Sequence, residues 1–85
     1  MADTFEIEIA TPEKLVIQQH AEFAEIPGKD GYLGVLPGHA ALLSELGEGA
    51  LSITADGKTE SLTVSGGYVE IRDNRVRVLA DRVER

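Results

Sequence analysis

Apolar side chains recur at every second position along most of this chain, and that period confines it to β-structure. Phe5, Ile7 and Ile9 alternate with Thr4, Glu6 and Glu8, and Leu51, Ile53 and Ala55 alternate with Ser52 and Thr54. Leu62 and Val64 alternate with Ser61 and Thr63, Val69 and Ile71 with Tyr68, Glu70 and Arg72, and Val76 and Val78 with Arg75, Arg77 and Leu79. Successive side chains of a strand point to opposite faces, so each run buries one face and wets the other. No segment sustains a helical period.

Turn chemistry separates the runs. Asp56-Gly57 and Asp73-Asn74 are hairpin signals, because these residues tolerate the positive φ that primed turns need. A two-residue loop at Asp73-Asn74 sets Ile71 against Val76 and Val69 against Val78 on the core side. The same register places Glu70 beside Arg77, Arg72 opposite Arg75, and Tyr68 against Leu79 on the outer face. An apolar pair on an otherwise polar face predicts a second buried surface or a partner. The expected fold class is all-β, a small antiparallel β-sandwich of short strands filling residues 1–85 as one domain. Its expected core is Phe5, Ile7, Ile9, Ile26, Ile53, Leu62, Val64, Val69, Ile71, Val76 and Val78.

Two stretches resist simple alternation. Between Ala21 and Ile26, Ala24 and Ile26 share one face and Phe23 takes the other. A β-bulge reconciles them, or else Phe23 is an exposed aromatic that a partner covers. The run Ala40-Ala41-Leu42-Leu43-Ser44-Glu45-Leu46 has helical propensity but is short for an isolated helix. An extended segment with one helical turn at its start is expected.

Charge narrows the partners. Eight basic residues against fifteen acidic ones give a net charge of −7 and a pI near 4.6. Such a surface repels phosphate backbones and anionic headgroups, so neither nucleic-acid binding nor direct membrane insertion is expected. No window approaches the roughly 18 apolar residues of a spanning helix, and the first residues lack the pattern of a signal peptide. A soluble protein is expected. Cysteine is absent, which excludes thiol chemistry and thiolate metal ligands.

Little in the sequence points to catalysis. His20 sits among Gln18, Gln19 and Glu22 on a polar face, and a solvated role is expected. His39 follows Pro37-Gly38 in a turn, with no second histidine or clear nucleophile in the loop, so a structural or interface role outweighs a catalytic one. Metal binding needs three or four convergent ligands, and no such spacing occurs. No catalytic, cofactor-binding or metal-binding residue is assigned. Gly28, Gly31, Gly34 and Gly38 crowd one segment, but the strand-loop-helix context of a phosphate cradle is missing. They are read as bends in an irregular loop whose apolar side chains cannot all be buried, leaving a surface for binding.

Gly31-Tyr32-Leu33-Gly34-Val35-Leu36-Pro37-Gly38-His39-Ala40-Ala41-Leu42-Leu43 resembles the glycine-rich signature of ATP synthase epsilon subunits. Ser65-Gly66-Gly67-Tyr68-Val69-Glu70 and Val78-Leu79-Ala80-Asp81 resemble two further segments of that family, in the same order and at compatible spacing. The resemblance extends from Phe5 to the last residue. It implies a non-catalytic rotor subunit that couples the gamma subunit to the ring of c subunits, peripheral on the cytoplasmic face of a bacterial inner membrane and without a cofactor. The glycine-rich loop is the part the family would aim at the c-ring and the neighbouring gamma subunit. Tyr32 stands where many members carry glutamate, and Ala41 where proline is usual. The family continues into a two-helix hairpin beyond the position of Arg85, so the self-inhibition and ATP binding attributed to that hairpin are not expected of residues 1–85. Candidate protein-binding residues are Gly31, Tyr32, Gly34 and His39 on the loop, with Tyr68 and Leu79 on the outer face. A free-standing β-sandwich adaptor is the alternative; a small hydrolase ranks below both.

Overall fold

The computed structural model describes residues 4–85. Its elements are β1 (Phe5–Ala10), β2 (Leu15–Ala21), β3 (Phe23–Gly28), β4 (Gly31–Val35), β5 (Leu42–Glu45), β6 (Glu48–Ala55), β7 (Lys58–Arg72) and β8 (Arg75–Glu84). Hydrogen bonding links them in the order β2-β1-β8-β7-β6-β3-β4, with β5 paired to β7 off that path.

A bent ribbon organises the fold. The second half of β7 pairs with β5, the first half with β6, and β8 runs along both. The bend falls where Leu46-Gly47 meets Gly66-Gly67: Leu46 N–H donates to Gly67 O at 2.9 Å, and Gly66 N–H to Gly47 O at 3.2 Å. At Gly67 only glycine fits. A Cβ on Gly67, at φ 111°, would lie 1.9 Å from the Leu79 carbonyl oxygen, far inside van der Waals contact. One half of the ribbon continues through β8 to β1 and β2, the other through β6 to β3 and β4.

The core between these halves contains every residue expected there, from Phe5 to Val78. It gains Ile17, Ala21, Ala24, Val35, Leu46, Leu51 and Ala80. Asp73 and Asn74 both have positive φ, and the hairpin they close pairs Ile71 with Val76, Tyr68 with Leu79 and Arg72 with Arg75, as the two-residue loop requires.

Several expectations are corrected. The sheet is not wholly antiparallel, because β1 lies parallel to β8, with Ile7 opposite Val76. Glu70 is opposite Arg77 in register, yet Arg77 Nε donates instead to Glu8 Oε1 at 3.1 Å. Glu8 is the cross-strand neighbour of Arg77 on β1, which the hairpin alone could not reveal. No bulge is needed before Ile26. The chain bends at Glu22, whose N–H donates to Thr54 O at 2.8 Å, and the bend resets the parity so that Ala21, Ala24 and Ile26 all face inward. The helical turn expected near Ala40 is absent, because Leu42–Glu45 extend to pair with Tyr68–Ile71. Most of the supposed glycine-rich loop is strand β4, hydrogen-bonded to β3; only the turn after it is irregular.

Candidate protein-binding surfaces

The candidate residues fall on two surfaces and a turn. On the outer face of the ribbon, Tyr68 and Leu79 are direct cross-strand neighbours. Leu43, opposite Glu70 on β5, joins them. The three are 56%, 51% and 70% exposed, and with Glu70 and Arg77 they line a shallow recess. Beside it the face turns ionic: Arg77 pairs with Glu8, and Arg75 Nε lies 3.2 Å from Glu6 Oε1. An apolar strip rimmed by paired charges has the make-up of a protein contact surface, with an anchor to desolvate and a wet edge. Leu43 went unnoticed in the sequence because its partner strand was unknown. The Leu-Leu pair after Ala41 shows only that one of the two must face outward.

The second surface is the outside of β3 and β4. Pro27 opposes Tyr32 and Glu25 opposes Gly34. The bare face of Gly34 receives the Phe23 ring, whose Cε1 would sit 3.6 Å from a Cβ placed there. The Tyr32 hydroxyl leans over Gly49. Phe23, Tyr32 and Leu36 remain exposed. Phe23 is thus the outward aromatic that parity allowed, resting on Gly34.

The turn at Pro37–His39 follows β4. His39 N–H donates to Leu36 O at 3.2 Å. His39 Nδ1 lies 2.7 Å from Ala40 O, and only the tautomer protonated at Nδ1 can donate there. Gly38, at φ 82°, has open space where a Cβ would point, and its N–H donates to Asn74 Oδ1 at 2.9 Å. Gly31, at φ 134°, is equally open. The turn therefore sits beside the β7–β8 hairpin, whereas Gly31 lies at the other end of β4. His20 is exposed on β2, as expected.

Among the described residues, no polar or charged side chain is buried, and no group of three potential metal ligands converges. What the geometry offers is recognition through exposed apolar side chains in a fixed backbone frame.

The profile of the family described as "ATP synthase, Delta/Epsilon chain, beta-sandwich domain" matches residues 4–85. The chain belongs to this family. An ATP synthase epsilon chain of Koribacter versatilis is 52% identical over 85 residues, covering 100% of this chain and 60% of the relative. The ATP synthase epsilon chain of Carboxydothermus hydrogenoformans is 45% identical, covering 100% of this chain and 63% of its own length. This chain thus spans under two thirds of these family members. Among solved structures, a chain of the Euglena gracilis mitochondrial ATP synthase superposes with a TM-score of 0.90 at 21% identity, covering 98% of this chain and 54% of that one. A chain from the Tetrahymena thermophila mitochondrial ATP synthase central stalk and c-ring superposes at 0.75 with 20% identity, covering 92% and 63%. At those identities the superpositions speak to the family fold alone.

Proposed function

We propose that this domain is the β-sandwich module of an ATP synthase epsilon subunit, a non-catalytic part of the central stalk that binds the gamma subunit and the c-ring and makes them turn together. The observation that carries this reading is the family match over residues 4–85. The two exposed apolar surfaces supply the means: Leu43, Tyr68 and Leu79 on one side, and Phe23, Tyr32 and Leu36 on the other. Coupling by such a module is binding at two places on one rigid body, with no chemical step. The module is peripheral, on the cytoplasmic side of a bacterial inner membrane. Its net charge of −7 disfavours anionic headgroups and suits basic loops on a protein partner. Family membership weighs against the free-standing adaptor.

The test is capture of the gamma subunit and the c-ring by the purified chain. Leu79→Ser is expected to weaken capture of gamma while far-ultraviolet circular dichroism stays β-type. Capture of neither partner by the unchanged chain would overturn the proposal.

A further inference from the structure

We infer that Asn74 is a positioning residue for the Pro37-Gly38-His39 turn, fixing how that turn is offered to a partner. The inference rests on the binding role proposed above. Asn74 ties together three segments distant in sequence. Its side-chain Oδ1 accepts the Gly38 N–H at 2.9 Å, and its Nδ2 donates to Thr4 O at 2.9 Å. Its own carbonyl accepts the Glu6 N–H at 3.2 Å. The partners fix the amide's orientation, since a backbone N–H can only donate and a carbonyl can only accept. Asparagine is suited to this place for a second reason. Its φ is 60°, a left-handed conformation that asparagine adopts more readily than most residues.

The turn has no other tie of this kind. The remaining hydrogen bonds of residues 37–40 stay local, from His39 N–H to Leu36 O and between His39 Nδ1 and Ala40 O. Among the described residues, the Asn74–Gly38 bond is the one that crosses from this turn to another element. Gly38 itself is exposed and, apart from its chain neighbours, has no atom within 4 Å of where its Cβ would be, while Pro37 and His39 beside it are half-buried. Among the described residues, the Asn74 amide is therefore the turn's hydrogen-bonded link to Thr4 and the β7–β8 hairpin.

Two substitutions separate positioning from general stabilisation. Asn74→Gly keeps the left-handed backbone and removes both side-chain bonds. Asn74→Asp keeps an acceptor for Gly38 and loses the donor to Thr4. Both lose the side-chain bond to Thr4 O and keep the backbone bond from Glu6, so both are expected to lower the urea midpoint. Affinity for a gamma subunit–c-ring subassembly is expected to fall roughly two- to tenfold in Asn74→Gly, the worth of one hydrogen bond, and to be retained in Asn74→Asp. Amide exchange at Gly38 is expected to accelerate only in Asn74→Gly. An equal loss of affinity in both variants, or an unchanged Gly38 exchange rate in Asn74→Gly, would overturn the inference. If Leu79→Ser weakens the complex and Asn74→Gly does not, positioning fails while the proposed function stands. No binding by the unchanged chain would defeat both.

Discussion

The two glycine-bearing signatures of this chain do opposite things. At Gly66-Gly67 the backbone is crowded: a Cβ on Gly67 would press to within 1.9 Å of the Leu79 carbonyl oxygen, and one on Gly66 to within 2.5 Å of Asp81 Oδ2. At Gly31 and Gly38 it is open, with no atom within 4 Å of either Cβ position. At Gly67 the obstruction is the backbone of β8, and at Gly66 it is the Asp81 side chain. φ is positive at all four, so at Gly31 and Gly38 the backbone conformation alone asks for glycine, whereas at Gly66 and Gly67 crowding is added to it. One motif builds the bend of the sandwich, and the other shapes a surface. In sequence they look alike. The difference is whether a neighbouring strand lies against the glycine, which only the tertiary pairing decides.

That contrast can be broken most decisively at Gly67. Gly67→Ala forces β7 and β8 apart, since the obstructing atom is backbone. It is expected to cost about 4 kcal/mol or more, a large part of a small domain's stability, and to abolish the cooperative urea transition or move it to very low denaturant. A midpoint near that of the unchanged chain would show that the bend has slack. Gly38→Ala meets no obstruction and bears only the left-handed backbone penalty, about 1–2 kcal/mol. The same unfolding curve reads it. A loss as large as that at Gly67 would erase the distinction between the two motifs. Tyr32→Ala is the smallest change to stability. It removes a side chain that is 55% exposed and should shift the unfolding free energy by no more than about 0.5 kcal/mol. Its effect belongs in the capture assay with the c-ring, where weaker binding is expected.

The strands were legible in the sequence because one buried face writes its parity into the residues. Every expected core position is buried, and the Asp73-Asn74 turn carried the β7–β8 register with it. What could not be read was pairing between strands far apart. Nothing local says that β1 lies beside β8, so the Arg77–Glu8 ion pair stayed hidden. The sequence suggested an extended segment at Leu42–Glu45, but not that it would pair with β7 and bring Leu43 beside Tyr68. The binding surfaces were half visible for the same reason. Tyr68 and Leu79 share a hairpin, whereas Phe23 and Gly34 meet only across β3 and β4 once the bend at Glu22 has set the facing of Phe23.

The parallel pairing of β1 with β8 has a consequence for how the domain comes into being. β1 is separated from its sheet partner on one side, residues 75–79, by all six intervening strands. The hairpins β3–β4, β6–β7 and β7–β8 close over short loops and span no such distance. Of the pairings in the sheet, that of β1 with β8 closes the longest loop and so carries the largest closure entropy. Until it happens, Ile7 and Ile9 lack the neighbours that bury them, and one edge of the β1–β2 hairpin is unpaired. Docking of β1 then completes the core and, through Asn74, ties the first strand to the turn at Gly38. During synthesis on the ribosome, β1 therefore has to wait for β8 before its second edge can be paired.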